Sequence, residues 1–343
     1  PEGLPAVLTI TLAVGVQAMA RRNAIVRRLP AIETLGSVSV ICSDKTGTLT
    51  RNEMSVASIV TAAEKFSVRG VGYEPVGTIE TATGPANSTM DHHLGEIASA
   101  AVLCNDAELK NRDGVWSVEG DPMEGALLAA AERIGLLVAG ARGQWPRSDV
   151  IPFDAKHRFM ATLNHDHEHH AVAFVKGAPE QVLALCSGQR LSDGAVGPLD
   201  PVYWQEQAER IAGQGQRVLA VATKSLPSSQ TVLDFGDVEK DLTLLALFGL
   251  IDPPREEAIS AVAECHAAGI RVKMITGDHA ATAMAIGRQL GLRNTDRGLT
   301  GSDIDKLDDP ALAMAVRETD VFARTSPEHK LRLVMALQSQ GMI

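Results

Sequence analysis

VSVICSDKTGTLT, residues 38–50, decides how the rest of the chain is read. Residues 38–43 are a short apolar, β-branched run, the pattern of a strand buried in a parallel sheet. The run stops at Asp44 and gives way to a turn rich in Thr and Gly. In parallel α/β sheets chemistry gathers at the carboxyl ends of strands, so a carboxylate there is a candidate nucleophile. The backbone and hydroxyl groups of Thr46, Gly47 and Thr48 are suited to holding phosphate oxygens, and Lys45 adds positive charge. A plain capped turn would need only Asp-Lys-Thr-Gly; the unbroken run from Asp44 to Thr50 favours a phosphoryl site.

The same grammar returns downstream. Residues 244–251 are apolar and end at Asp252, and residues 270–275 are apolar and end at Thr276-Gly277-Asp278; residues 321–323 are a shorter candidate. Helical spacing fills the intervals at 255–268, 279–290 and 327–338, with Pro254 expected in a first helical turn and Gly269 at a stop. Strands alternating with helices predict an α/β fold with a doubly wound parallel sheet. Thr276 is placed to hydrogen-bond a transferred phosphate, with Gly277 beside it. Asp278 either caps the helix after it or supports the site. Lys330, after another candidate strand, is placed to neutralise Asp44 and an incoming phosphate.

Residues 52–243 read differently. Candidate strands at 55–60, 115–118, 159–163 and 171–175 are mixed with helices near 92–103, 125–137 and 202–213. This pattern predicts a separate antiparallel α+β unit inserted into the parallel sheet, with residues 81–89 as a connecting loop. Lys176, followed by Gly177, ends one of these strands and suits a nucleotide pocket. Phe153 either stacks on an adenine or belongs to the core. Arg217 reaches a phosphate or pairs with a carboxylate. His165, His167, His169 and His170 read as an exposed hairpin tip, with metal binding as the alternative.

The bulk numbers narrow the class. A net charge of −10 argues against nucleic acid as a partner. Cys42, Cys104, Cys186 and Cys265 are too scattered for a zinc site or disulfide framework and read as reduced thiols. Leu4–Ala20 carries no charge and precedes Arg21, Arg22, Arg27 and Arg28; it reads as a buried helix or as part of a membrane helix with its cytoplasmic flank. Neither GxxxxGK[ST] nor a GxGxxG after a strand is present, which argues against P-loop and dinucleotide folds.

Taken together, these motifs resemble the P-type cation-transporting ATPases. DKTGTLT (44–50) is similar to the family's phosphorylation motif and KGAPE (176–180) to its nucleotide-domain lysine motif. GDPMEGALL (120–128) resembles the segment whose glutamate, here Glu124, approaches the adenine, and FDAKHRFM (153–160) the adenine-stacking segment. DPPREE (252–257), MITGDH (274–279) and SPEHK (326–330) resemble phosphorylation-domain motifs.

The resemblance implies a haloacid-dehalogenase-like, Rossmann-like phosphorylation domain interrupted by a nucleotide-binding domain. The expected boundaries are a membrane-helix remnant and stalk at 1–29, phosphorylation domain at 30–51 and 244–343, and nucleotide domain at 52–243, with hinges near Asn52 and residues 241–247. It implies ATP and Mg²⁺, an aspartyl-phosphate at Asp44, and Mg²⁺ held by Asp44 and the Thr46 carbonyl. Asp252 and Arg324 join the expected nucleotide contacts.

PEGLP (1–5) resembles the ion-binding helix of calcium-type pumps, which makes Glu2 an ion ligand and Ca²⁺ the expected cargo. The family's Gly-Asp-Gly-Val-Asn-Asp-Ala-Pro segment, which supplies an Mg²⁺-ligating aspartate, is not reached by residue 343. The chain is therefore expected to be the cytoplasmic part of an integral membrane pump. It would work with an actuator domain and membrane helices, and alone bind nucleotide but phosphorylate poorly. Two rivals stand beside this reading. A soluble phosphohydrolase needs a second acid where Thr46 stands, and a regulatory nucleotide-binding module need not keep Asp44 and Lys330.

Overall fold

The computed structural model describes residues 3–25, 35–70, 72–82, 84–85 and 92–343. Glu2 and most of the expected stalk after residue 25 lie outside the described residues. The chain divides into two compact units, residues 1–49 with 256–343, and residues 50–255.

The first unit is built on four parallel strands in the order Val40–Asp44, Arg271–Ile275, Val321–Ala323 and Leu299–Thr300. Asp44 pairs with Ile275, so both strands end level and deliver Asp44 and Thr276 to one edge. Ile275, Phe322, Leu299, Ile304, Leu312, Val316 and Leu333 form the apolar core around the sheet. The helix after the second strand is Ala280–Gln289, and the last helix, Pro327–Gln338, opens on a reciprocal cap between Ser326 and His329. Leu4–Ala20 is helical over 17 residues with none buried, and among the described residues no helix is long and apolar enough to cross a membrane.

The second unit holds a long antiparallel sheet. From one edge its main strands are Gly77–Thr81, Lys65–Gly70, Ser55–Val60, Leu242–Ile251, Arg217–Leu226, Ala171–Gly177, Phe159–His165 and Arg147–Ile151. Side chains alternate between two cores. Met160, Phe174, Val221 and Phe248 pack with helices His92–Leu103 and Pro122–Ile134. Ala161, Leu163, Val175 and Leu247 pack with Trp204 and Ile211 on the other face. Short Gly84–Pro85 pairing with Gly77–Thr81 adds a strand within the stretch expected to be a loop.

The unit differs from the sequence reading at its second boundary. Leu242–Ile251 is a central strand of the antiparallel sheet, paired with Ser55–Val60 and Arg217–Leu226, and is no part of the parallel sheet. Both of its faces are buried, so the run carries no period-2 signal and reads alike in either kind of sheet. The boundary therefore falls at residues 255–256, not 243–244, and the expected hinge at 241–247 lies largely inside a paired strand. Pro254 is not in a helical turn either. It bridges to Thr50, and the helix begins at Glu256.

The two chain segments that enter and leave this unit are fastened to each other. Thr50 Oγ1 donates to Asp252 Oδ2 at 2.6 Å, Arg51 N to the Pro253 carbonyl at 3.1 Å, and Arg255 Nε to the Thr50 carbonyl at 2.9 Å.

Candidate functional site

In the parallel unit, Asp44 is half exposed at the tip of its strand, and its Oδ2 accepts a hydrogen bond from Lys330 Nζ at 2.8 Å. The Ser326–His329 cap fixes the turn that carries Lys330. Side-chain exposures of 41% and 50% make this a wet ion pair, of a kind worth only about 0–1 kcal/mol to stability. The pair holds an ammonium against the carboxylate without burying either.

The chain turns sharply after Asp44. Thr46 is extended at φ −70° and ψ 123°, and Gly47 takes φ 72°, the left-handed region that glycine enters without cost. Thr48 is exposed on the same turn. Lys45 is not directed as the sequence reading has it. It is buried, and its Nζ lies 2.5 Å from Asp278 Oδ2. The capping role for Asp278 is overturned, because the cap of the following helix is His279, whose Nδ1 accepts from Ala281 N.

Thr276 is 1% exposed; its Oγ1 accepts from Asp278 N at 3.1 Å, and its carbonyl accepts from Thr325 N and Oγ1. Gly277 is open, with nothing within 4 Å of an added Cβ. Arg324 has φ 49° and donates its N–H to the Asp278 carbonyl. With His279, Ala280, Thr300 and Ser302 it lines a cavity of about 300 Å³.

The antiparallel unit contains a larger cavity, about 590 Å³, lined by Lys176, Glu124, Phe153, Arg217, Met160 and Arg158 among others. Lys176 reaches it from the end of a central strand. The lysine is 6% exposed and donates to Glu124 Oε1 and to the Cys104 carbonyl, both at 2.5 Å. Asp121 caps the helix that carries Glu124, and Asp106 N donates to Glu124 Oε2 at 2.9 Å, so the carboxylate is held at both oxygens. Gly177 lets the strands close up beside the lysine: a Cβ there would lie 2.5 Å from the Arg158 carbonyl. Burial pushes the neighbouring Cys104 thiol up to about 11, which removes it as a nucleophile.

Phe153 is 64% exposed on the cavity wall, which rules out the core reading. A large exposed aromatic beside an apolar hollow is a stacking surface. Arg217 lies against Met123, with Nη1 3.3 Å from Sδ. Asp252 does not reach this cavity; it is held by Thr50 and Glu53 N where the chain crosses. Arg324 belongs to the other unit and lines the smaller cavity. Arg158 and Asp106 also line the larger cavity, beyond the residues the sequence singles out. Arg158 stands inside the quoted FDAKHRFM stretch and so had a signal, whereas nothing local marks Asp106.

Residues 93–257 match the family model described as P-type ATPase, cytoplasmic domain N. Over its whole length the chain is 46% identical to the cation-transporting ATPase pma1 of Synechocystis sp. and 44% identical to the probable cation-transporting ATPase F of Mycobacterium tuberculosis. It is 39% identical to a calcium-transporting ATPase of Bacillus subtilis. The chain spans 38%, 38% and 39% of these relatives' own lengths.

Proposed function

The chain belongs to the P-type cation-transporting ATPases, and from that premise we propose that it serves ATP-driven cation transport through an aspartyl-phosphate at Asp44. The observation that carries this reading is the Asp44–Lys330 pair at the end of the parallel sheet. The parallel unit is then the haloacid-dehalogenase-like phosphorylation domain and the antiparallel unit the nucleotide-binding domain.

In the transfer step an Asp44 carboxylate oxygen attacks the γ-phosphorus of ATP. The new O–P bond forms as the bond to the β-phosphate oxygen breaks, and ADP leaves with that electron pair. Lys330 stays protonated and offsets the charge of carboxylate and phosphate. The Thr276 hydroxyl donates to a phosphate oxygen, and the amides of the Thr46–Thr48 turn hold the others. Asp278 fixes Lys45 beside the turn. ATP itself is held by stacking on Phe153, with Lys176, Glu124 and Arg217 around it. The Asp44 carboxylate and the Thr46 carbonyl are hard oxygen donors of the kind Mg²⁺ takes alongside phosphate oxygens and water. Bound there, Mg²⁺ would neutralise charge on the transferring group. Thr46 in place of a second acid disfavours hydrolysis of the acyl phosphate, as a pump requires.

Ca²⁺ is the first cargo to test, because one of the similar proteins is named a calcium-transporting ATPase and PEGLP resembles a calcium-pump helix. Membrane helices, an actuator domain and a cytoplasmic placement of this portion belong to the same proposal. The full-length pump is to be incubated with γ-labelled ATP and Mg²⁺, with and without Ca²⁺. Acid-stable, hydroxylamine-sensitive label that needs Ca²⁺ is expected. Label that answers to another cation would change the cargo, and absence of label under every cation would overturn the reading. In the same protein Phe153→Ala is expected to weaken ATP binding roughly tenfold, the loss of one base stack, read as a Kd by titration calorimetry.

A further inference from the structure

The run His-Asp-His-Glu-His-His at residues 165–170 plays no part in either site. It forms the tip of the hairpin joining Phe159–His165 to Ala171–Gly177, with His165 paired to Ala171. Asp166 builds the turn: its Oδ1 accepts from Glu168 N at 2.9 Å and from His170 N at 2.8 Å. Its side chain is thereby 11% exposed on a tip that is otherwise open to solvent. His170 folds onto the other oxygen, with Nδ1 2.8 Å from Asp166 Oδ2, and Glu168 Oε2 approaches the same nitrogen at 3.9 Å. One donor atom from each of the three residues lies within 4.8 Å of the other two.

A tetrahedral Zn²⁺ with bonds of about 2.0–2.1 Å keeps its donors about 3.3 Å apart. The His170–Asp166 and His170–Glu168 separations of 2.8 and 3.9 Å bracket that value and all three donors lie within 4.8 Å of one another, so rotation of the exposed His170 and Glu168 side chains would complete the set. We propose that Asp166, Glu168 and His170 form a binding site for a late first-row divalent cation, Zn²⁺ foremost, with water in the remaining position. One imidazole nitrogen with two carboxylate oxygens suits Zn²⁺, Ni²⁺ or Co²⁺ better than Mg²⁺ or Ca²⁺, which take oxygen ligands. The cation replaces the proton held between Nδ1 and the carboxylates, and that proton leaves to solvent. His165 is outside the set: its ring does not join the cluster of the three donor atoms, and its Nδ1 is engaged with Ser148 Oγ at 2.6 Å.

The test is calorimetric titration of the 343-residue chain with ZnCl₂ in excess Mg²⁺ and Ca²⁺, which fill hard-cation sites. Wild type is expected to bind one Zn²⁺ saturably at the tip. His170→Ala and Glu168→Gln are each expected to weaken that binding about tenfold or more, with unchanged melting because both side chains are exposed. The double variant His167→Ala/His169→Ala, which leaves the three donors intact, is expected to keep it. No saturable binding by wild type, undiminished binding in both single variants, or loss confined to the double variant would each overturn the proposal.

Discussion

Asp44→Asn is expected to leave the full-length pump with no acid-stable label from γ-labelled ATP and with ATP turnover at background. The amide is isosteric but has no nucleophilic oxygen anion, so the covalent step is lost outright. The fold should not notice. The Asp44–Lys330 pair is solvent-exposed and worth about 0–1 kcal/mol, so melting should stay close to wild type. ATP affinity should hold or rise, because a negative charge that repels the γ-phosphate has been removed. Loss of label with retained ATP binding separates a chemical role from a structural one. Unchanged label in Asp44→Asn would move the nucleophile elsewhere, and unchanged transport in cells would favour the regulatory-module reading.

The largest stability effect is expected at a different aspartate. Lys273 is completely buried in the central strand of the parallel unit, where its Nζ donates to Asp320 Oδ1 at 2.8 Å and to the Thr319 carbonyl at 2.7 Å. Asp320 also accepts from Arg271 Nη2 at 3.0 Å and from Asn294 N at 3.1 Å. Asp320→Ala strands an ammonium in the core, a loss of about 3–5 kcal/mol for breaking one side of a buried pair. Lys273→Met combined with Asp320→Ala should recover much of it, since both buried charges then go together.

The pH dependence has a definite sign. Burial holds Lys273 below its ordinary 10.5, and Asp320 opposes that fall. Without Asp320 the folded-state value drops further, so the unfolded chain binds the proton more tightly than the folded one. While Asp320 is ionised in the wild type, the variant's deficit is therefore greatest where Lys273 is protonated in both states and shrinks as pH rises toward 10.5. Denaturant unfolding at several pH values measures it; a deficit that grows with pH would contradict the assignment.

What the sequence made legible was local. The strand at Asp44 and the helix Pro327–Gln338 announce themselves through an apolar run closed by polar residues and through a Pro-Glu start; the helix has the bounds its sequence predicts, and the strand, Val40–Asp44, begins two residues later than the apolar run and takes in Asp44. The cavity side chains Lys176, Glu124, Phe153 and Arg217 come together across 94 residues of chain because each sits in a compact motif. What stayed hidden depends on partners far away in sequence. Nothing beside Lys45 says that its ammonium is taken by Asp278, and nothing beside Leu242–Ile251 says that both its faces are covered. The exposure of Phe153 is likewise a property of the assembled surface and not of its neighbours in the chain.

The fastening of Thr50 and Arg51 to residues 252–255 bears on how the parallel sheet can form at all. Strand Val40–Asp44 must find Arg271–Ile275 across an intervening stretch of about 200 residues. Were that stretch a free coil, closing it would cost on the order of 5 kcal/mol in chain entropy. Folded with its ends clasped at residues 50–51 and 252–255, it leaves only about 20 residues to close between the two strands, which roughly halves that cost. Folding of residues 50–255 ahead of the sheet that carries Asp44 would therefore speed its closure, and damage to the clasp is expected to slow the maturation of a site whose own residues are untouched.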